Sequence, residues 1–350
     1  MAASLYLNHA GTSWPKPPVV SKAFAEALAA SPDTWAQDFA EAHERVAHAF
    51  DVSADTLLIT PGATSAIATA IADIPLQPGD RVLTSAMEHH ALARPLAKLR
   101  ARGIEIVEVP RGSGPLDLEV LTTELKAGGV RLVALSMAAN VTGELLPFAE
   151  VVTLAHAHGA LCLLDGAQAA GWLPLSLTDL EVDLFAFAGH KGPQAPYGVG
   201  GLYVRPGVRL DTPGATRPGY CDTGSVDRPA LVALAAGLGF MQEHRPLEAT
   251  RAIEARFRAH AQQLGGVTVY GTGPRMPVCS LTVRGHSPGQ LARALRAQGI
   301  VVSGGTQCAP RAHTTLGTGE MGTLRFSFGP TSNIDDADRA FAALAEVLRN

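Results

Sequence analysis

The sequence ALCLLD at residues 160–165 and the sequence LFAFAGHKG at residues 184–192 decide the fold. Each contains a continuous apolar run that is short enough for a β-strand and that ends in charged or glycine residues. Strands without a polar face belong to sheets that are covered on both sides, which is typical of parallel sheets. The two runs therefore predict buried strands of one sheet, with Asp165 at the end of the first and Lys191 just beyond the second.

Short apolar runs of this kind alternate with longer amphipathic stretches along most of the chain. The alternation predicts βαβ units, and hence an α/β fold with a mostly parallel mixed sheet sandwiched by helices. After about residue 245 the pattern changes to that of a smaller α+β domain. We therefore expect a large domain over residues 14–244 and a small domain formed by residues 1–13 and 245–350.

The boundaries of the predicted elements follow from these patterns. The predicted strands cover residues 57–60, 81–84, 105–109, 131–136, 160–165, 183–188, 201–204, 267–270, 278–283, 301–302 and 323–328. The predicted helices cover residues 19–30, 35–50, 65–72, 92–102, 118–126, 148–158, 229–243, 249–264, 288–298 and 335–349.

Composition limits the class of protein. Of the 350 residues, 47% are hydrophobic and 17% are charged, so the chain can bury a sizeable core. The net charge is −4 and no basic block occurs, so we expect neither nucleic acid nor a membrane as a partner. The cysteines lack disulfide or zinc spacing and the first residues do not resemble a signal peptide, which indicates a cytoplasmic protein.

Asp165 and Lys191 are the residues at the predicted sheet edge with the most informative chemistry. In open α/β sheets, ligands bind at the carboxyl ends of the strands. A lysine there, among glycine and apolar residues, is partly desolvated, which favours the neutral and nucleophilic amine. A carboxylate there can keep a pyridine nitrogen protonated. The alternatives are a surface lysine that ends a strand and an aspartate that caps the next helix.

Two further segments follow predicted strands. The sequence TPGATS at residues 60–65 leads into a helix, where backbone N–H groups bind anions. It is not a Walker loop, and an ordinary helix cap is the alternative. In MEHHA at residues 87–91 a histidine could stack on a flat ring or move protons, unless it is a solvated loop residue. A histidine pair without a third ligand makes a poor metal site, so we predict no metal.

Cys308 lies in the sequence SGGTQCAP at residues 303–310. Its glycine, polar and proline neighbours predict an exposed thiol, whereas Cys162 and Cys279 lie within apolar strands and belong to the core. An exposed thiol beside a cation can be reactive, although a free surface cysteine can also be incidental. Along the chain, an anion-binding loop, a histidine, an aspartate and a lysine thus precede a cysteine in the second domain.

In this order the motifs resemble the class V aminotransferase fold and, within it, the cysteine desulfurase family, most closely its SufS-like branch. The resemblance extends from LYLNHAGTSWPKP near the N-terminal end to LRFSFGP near the C-terminal end, and so covers almost the whole chain. The matching blocks between them are MEHHALARPL, ANVTG, LDGAQAA, GHKG, GSVDRP and CAPRAH. The resemblance implies an enzyme of the fold type I transferases that depend on pyridoxal 5′-phosphate.

The resemblance implies that Lys191 binds this cofactor covalently and that Asp165 pairs with its ring nitrogen. Ser225 would reach the phosphate of the other subunit's cofactor, which implies a homodimer. The remaining cofactor-binding residues would be Gln168 at the phenolic oxygen, Asn140 and His89 beside the ring, and Ala63, Thr64 and His190 at the phosphate.

The resemblance also implies the substrate site. Cys308 would be the nucleophile that forms a persulfide, and Arg325 would grip the carboxylate of the substrate. Gly11 and Asn140 would complete the substrate-binding residues, and Lys191, Cys308 and His89 would be the catalytic residues. The implied reaction removes sulfur from L-cysteine, leaves L-alanine and passes the persulfide to an acceptor protein.

Some positions depart from the family's pattern. Ala188 and Ala63 lack hydroxyls that usually contact the phosphate, and Ser303 replaces a second arginine near the cysteine loop. The missing arginine keeps open another class V enzyme, namely a C–S lyase, a selenocysteine lyase, an epimerase or an aminotransferase. A nicotinamide-dependent enzyme is disfavoured because the one GxGxxG, at residues 317–322, precedes a predicted strand and does not lead from a strand into a helix. An inactive scaffold is disfavoured by the presence of Lys191, Asp165 and Cys308.

Overall fold

The computed structural model describes residues 4–210 and 226–349, which divide into two compact units. The large unit comprises residues 15–137, 146–210 and 226–244, and the small unit comprises residues 4–14, 138–145 and 245–349. The sequence pattern predicts residues 138–145 in the large domain. In the structure they pair with the small unit, since the Leu145 N–H donates to the Pro274 carbonyl and the Met276 N–H donates to the Gly143 carbonyl, at 3.0 and 2.7 Å.

The large unit is built on a seven-stranded sheet of the described residues, in the order β2-β8-β7-β6-β5-β3-β4. Neighbouring strands from β7 to β4 are parallel, and β8 runs antiparallel to both of its neighbours. The prediction of an α/β fold with a mostly parallel mixed sheet is therefore confirmed. The strands are β2 (Leu57–Thr60), β3 (Arg81–Ser85), β4 (Glu105–Val109), β5 (Val130–Ser136), β6 (Leu161–Asp165), β7 (Leu184–Ala188) and β8 (Gly200–Val204).

Helices cover both faces of this sheet. Alternate residues of each strand point to opposite faces, so each strand contributes side chains to both apolar layers. Phe185 and Phe187 of β7 pack in one layer, whereas Leu184 and Ala186 pack in the other. The first layer includes residues of α2, α5, α6 and α8, and the second includes residues of α3 and α4. The helices are α1 (Pro18–Ala29), α2 (Trp35–His48), α3 (Ala63–Asp73), α4 (His90–Leu99), α5 (Leu118–Lys126), α6 (Phe148–Ala157), α7 (Leu177–Leu180) and α8 (Arg228–His244).

The small unit contains an antiparallel four-stranded sheet of the described residues, in the order β12-β13-β10-β9, and a separate parallel pair of β1 with β11. Phe257, Phe326 and Phe328 form the centre of its core and are at most 1% exposed. Its strands are β1 (Leu5–Tyr6), β9 (Val267–Tyr270), β10 (Val278–Val283), β11 (Ile300–Val301), β12 (Ser303–Gly305) and β13 (Thr323–Ser327), and its helices are α9 (Leu247–Ala261), α10 (Pro288–Ala297), α11 (Pro310–Thr315) and α12 (Ile334–Val347).

Candidate active site

One edge of the central sheet collects the segments that follow its parallel strands. Since β2, β3, β5, β6 and β7 run in the same direction, their carboxyl ends meet at this edge, where ligands bind in open α/β sheets. The segments that follow β2, β3, β6 and β7 carry the predicted cofactor-binding residues of the large unit, which are Ala63, Thr64, His89, Asp165, Gln168, His190 and Lys191.

The turn between β2 and α3 suits an anion. Gly62 has φ 154° and ψ 178°, a conformation that is essentially confined to glycine. A Cβ on Gly200 of β8 would lie 2.7 Å from the Cα of Gly62, so the strand approaches the turn closely only because Gly200 lacks a side chain. α3 begins at Ala63, and the first N–H groups of a helix lack intrahelical acceptors. Ala63 and the exposed Thr64 thus lie where a phosphate group would be held.

Asp165 is the last residue of β6 and is 4% exposed. One of its oxygens, Oδ1, accepts a hydrogen bond from the Ala167 N–H at 2.9 Å. Burial raises the pKa of Asp165, while this N–H and the charge of Lys191 act in the opposite direction. A buried carboxylate is stabilised by a cationic partner, so the residue is suited to a protonated ring nitrogen.

The loop that carries Lys191 is held by Gln194 and Lys16, which are not among the residues predicted from the sequence. Gln194 is 1% exposed and has φ 63°. Its backbone N–H and its side-chain Nε2 donate to the Lys191 carbonyl at 3.0 and 3.1 Å, and Nε2 also donates to the Gly192 carbonyl. Lys16 donates from Nζ to the His190 carbonyl at 3.2 Å, and burial lowers the pKa of Lys16 to about 8. Its place in the matching N-terminal block is the signal that could have identified it.

The two candidate histidines differ in their surroundings. His89 caps α4, and its Nδ1 accepts a hydrogen bond from the Ala91 N–H at 3.0 Å, so the neutral ring carries its proton on Nε2. The ring of His190 stacks on Tyr197 with the centroids 4.5 Å apart. Burial lowers the pKa of His190 to about 4, and the charges of Lys191 and Lys16 contribute. His190 is therefore uncharged at neutral pH.

Glu88 is a buried carboxyl group within the MEHHA motif that is not among the residues predicted from the sequence. It is 3% exposed and binds two serines at the ends of β3 and β5. Ser85 Oγ donates to Oε1 at 2.6 Å, and Ser136 Oγ donates to Oε2 at 2.5 Å. Burial raises the pKa of Glu88 to about 7, to which the charge of Asp165 also contributes and against which the serine hydrogen bonds act.

Glu88→Gln tests this assignment through the pH dependence of stability. Because the pKa in the folded protein exceeds the ordinary value of 4.5, the folded protein binds this proton more tightly than the unfolded chain. The contribution of Glu88 to stability is thus complete below about pH 4.5 and is lost as the pH rises through 7. We expect the difference in unfolding free energy between wild type and the variant, measured by urea denaturation without cofactor, to fall by on the order of 3 kcal/mol from pH 4 to pH 8.

Glu26→Gln is the matched control for this measurement, because the Glu26 side chain is 67% exposed on α1. Its difference from the wild type should stay nearly constant over the same pH range. An equally constant difference for Glu88→Gln would contradict the raised pKa of Glu88.

In the small unit, Arg325 of β13 is 3% exposed and organises the predicted substrate residues. Its Nη1 donates to the Asn140 carbonyl at 2.6 Å, and its Nη2 donates to Asn8 Oδ1 at 3.2 Å. Burial lowers the pKa of Arg325 to about 10, while the ionisable groups of Cys308 and Tyr6 act in the opposite direction, so the guanidinium stays cationic at neutral pH. Arg325 Nε and Asn140 Oδ1 are buried without a hydrogen-bond partner among the described residues, which leaves a donor and an acceptor for a ligand.

Gly11 and Ser303 border this arginine. The Gly11 N–H donates to the Asn8 carbonyl at 2.9 Å, and a Cβ on Gly11 would lie 3.0 Å from the side-chain amide of Asn8. A larger residue at position 11 would therefore displace a partner of Arg325. Ser303 pairs with Arg325 across β12 and β13 and brings no positive charge to this position.

Cys308 is exposed in the turn between β12 and α11, as the sequence predicts. Cys162 and Cys279 are buried. Burial raises the pKa of Cys279 to about 12 and also raises the pKa of Cys162, so neither thiol ionises at neutral pH. Of the described cysteines, only Cys308 is accessible to a substrate.

The remaining predictions concern residues outside the described ranges, a metal site and a membrane-spanning helix. Ser225, predicted to reach the other subunit's cofactor, and Cys221 lie outside the described residues. Within residues 4–210 and 226–349, no group of three or more His, Cys, Asp or Glu side chains is arranged to hold a metal ion. No helix in the same ranges combines the length and apolar character needed to cross a bilayer.

Comparisons with known proteins agree with this architecture. The family model described as aminotransferase class-V matches residues 5–340. A probable cysteine desulfurase from Vibrio cholerae serotype O1 is 30% identical over 337 residues, which cover 89% of this chain and 82% of the relative. An apo structure of the cysteine desulfurase from Thermococcus onnurineus NA1 has a TM-score of 0.90 at 22% identity and covers 99% of this chain and 95% of its own. A C-DES variant with glycine covalently linked to its PLP cofactor has a TM-score of 0.83 at 24% identity and covers 99% of this chain and 97% of its own.

The fold and the residues at the sheet edge define an α/β protein of the fold type I class, with a lysine and a buried aspartate at the ligand-binding edge. The chain belongs to the class V aminotransferase family, since the family model matches almost its entire length. The resemblance to cysteine desulfurases is thereby confirmed. Membership of the SufS-like branch stays a prediction.

Proposed function

We propose that this chain is a cysteine desulfurase that uses pyridoxal phosphate to convert L-cysteine to L-alanine, with a persulfide formed on Cys308. The observation that carries the proposal is a combination of groups within one chain. The large unit has Lys191 and the buried Asp165 at one sheet edge, and the small unit has an exposed thiol near a buried, cationic Arg325. These are the groups that attachment of an aldehyde cofactor and sulfur transfer from an amino acid require.

The donor set of the large unit fits this cofactor. The amine of Lys191 suits covalent attachment, the buried Asp165 suits the pyridinium nitrogen, and the first turn of α3 suits the phosphate. Thr64 and the backbone N–H groups at the start of α3 supply hydrogen-bond donors for the phosphate. When bound, pyridoxal phosphate supplies an electron sink that stabilises negative charge at the substrate Cα. The remaining residues assigned to it are His89, Asn140, Gln168 and Ala63.

Different residues of this chain bind the substrate, transfer protons and attack the substrate sulfur. Arg325 binds the carboxylate of L-cysteine, with Asn140 and Gly11 beside it. Lys191 Nζ removes the Cα proton of the substrate, and His89 Nε2 donates or accepts a proton. Cys308 Sγ then attacks the substrate sulfur. An S–S bond forms on Cys308 as the substrate Cβ–S bond breaks with its electron pair going to the carbon side, and protonation at Cβ and at Cα gives L-alanine.

The proposal is tested by incubating the purified protein with L-cysteine and a reductant while alanine and sulfide are measured together. We expect equal amounts of alanine and sulfide. Pyruvate with sulfide would show β-elimination, and an oxo-acid that retains the sulfur would show transamination. Either result would replace the proposed reaction with one of the other class V activities that Ser303 leaves open.

We further propose that the enzyme is a cytoplasmic homodimer in which Ser225 reaches the partner's cofactor, and that it passes the persulfide sulfur to an acceptor protein. The exposure of Cys308 supports transfer to a second protein, because a buried thiol could not be reached. The dimer is tested by light scattering of the protein with bound cofactor, where the mass of a single chain would contradict it.

A further inference from the structure

The turn that presents Cys308 has an unfavourable backbone conformation. Gln307 and Cys308 have φ 45° and φ 59°, in the left-handed region that side chains other than glycine rarely adopt. The Ala309 N–H closes the turn by donating to the Thr306 carbonyl at 2.9 Å. Two consecutive residues in this region persist only when surrounding groups hold them, so the contacts of the turn determine where the thiol lies.

Gln307 is fixed on several sides by residues of the small unit. Its carbonyl accepts a hydrogen bond from Asn140 Nδ2 at 2.7 Å. Its side-chain Nε2 donates to the Thr323 carbonyl at 2.9 Å, and its Oε1 accepts from Thr323 Oγ1 at 3.2 Å. The residue before Cys308 is therefore attached through both its backbone and its side chain.

His313 of α11 contacts the same turn from a fully buried position. Its Nε2 lies 3.0 Å from the Thr306 carbonyl oxygen and 3.2 Å from Gln307 Oε1. Both atoms are acceptors, so Nε2 carries the proton, and Nδ1 accepts from Thr318 Oγ1 at 2.7 Å. Burial lowers the pKa of His313, against the hydrogen bond to Thr306 and with a contribution from the charge of Arg325, which keeps the ring neutral in this tautomer.

We propose that His313 is a positioning residue for Cys308, because its Nε2–H holds Thr306 and Gln307 in the left-handed turn that presents the thiol. The inference rests on the proposed function in taking Cys308 as the sulfur-accepting nucleophile. It assigns a role in the reaction to His313, which acts through the turn and not by contact with substrate or cofactor. The same hydrogen bond reaches the carbonyl that closes the turn, so its loss loosens the backbone on both sides of Cys308.

A matched pair of variants separates positioning from general stability. In His313→Gln the side-chain amide reaches the position of Nε2 and can still donate to the Thr306 carbonyl. In His313→Asn the shorter side chain reaches only the position of Nδ1, so the contact with Thr318 is kept and the contact with the turn is lost. Each variant loses one side of the ring's hydrogen bonding and keeps the other, so a merely structural role predicts similar effects.

The first readout is hydrogen–deuterium exchange at the Ala309 amide in the full chain with bound cofactor. We expect exchange about tenfold faster in His313→Asn and near the wild-type rate in His313→Gln, because one hydrogen bond on the turn is lost only in the former. The second readout is kinetics with L-cysteine. His313→Asn should lower kcat about tenfold with KM nearly unchanged, while His313→Gln should retain most of kcat.

Equal effects of the two variants on exchange, or unchanged exchange in His313→Asn, would overturn the positioning role. If the wild type shows no desulfurase activity, the proposed function fails, but the exchange comparison still decides whether His313 holds the turn. If neither His313 variant folds, the 15N chemical shifts of the His313 ring in the wild-type protein take their place, because they report which ring nitrogen carries the proton. A proton on Nε2 then supports the inference, and a proton on Nδ1 rejects it.

Discussion

Lys191→Ala should abolish both covalent cofactor attachment and turnover, with alanine formation reduced by at least about a thousandfold. The reason is that Nζ of this residue is assigned two tasks, attachment of the aldehyde and transfer of the Cα proton. The fold should survive, because Gln194 binds the carbonyl of residue 191, which alanine retains. Visible absorbance, alanine formation and the mass of borohydride-treated peptides measure the outcome.

Lys22→Ala is the matched control, because the Lys22 side chain is 74% exposed on α1. This variant should keep the colour and the activity of the wild type. Borohydride treatment of the wild type should add the cofactor to the peptide that contains Lys191. If the cofactor were instead found on the peptide with Lys16, the other amine near His190, the assignment of Lys191 as the attachment site would be contradicted.

Cys308→Ala should prevent persulfide formation while the cofactor remains bound. We expect alanine formation from L-cysteine to fall at least about a hundredfold, a loss of ~3 kcal/mol of transition-state stabilisation. The cause is that no other described thiol is exposed to attack the substrate sulfur. The added sulfur is measured by the mass of the peptide around residue 308 after a single turnover, and cofactor binding is measured by absorbance.

Cys279→Ala is the control of the same residue type within the small unit. Its thiol is buried with a pKa raised to about 12, so its removal should leave alanine formation within about twofold of the wild type. Sulfur found on Cys279 in the wild type, or an undiminished rate of alanine formation in Cys308→Ala, would show that Cys308 is not the acceptor.

The strands of the central sheet could be predicted closely because each is marked by residues that are adjacent in the sequence. β6 and β7 begin one residue after the predicted strands and end at the predicted residues, since an apolar run and the polar residue after it mark the boundaries. By contrast, α7 and α11 have 4 and 6 residues, too few for a helical repeat to show, and both were missed. Residues 138–145 were assigned to the wrong unit because their partners at residues 274–276 are distant in sequence.

The candidate site was predictable to the extent that chemistry follows from residue type and motif order. Asp165 and Lys191 stand out as charged residues that follow buried strands. Glu88 and His313 did not stand out, although both belong to quoted motifs. Their burial depends on partners from other segments, such as Ser136 for Glu88 and Thr306 for His313, and no local pattern encodes those pairings.

The pairing of β1 with β11 affects how the protein can be made in a cell. Leu5 lies opposite Ile300, so 300 − 5 = 295 further residues must be synthesised before the partner of this strand exists. At typical rates of protein synthesis, the interval is roughly 15 to 60 s. The other buried members of the core that Leu5 and Leu7 join begin at Ile253, so these two apolar side chains have no core partners until that part of the chain has been made, and are exposed to aggregation in the meantime.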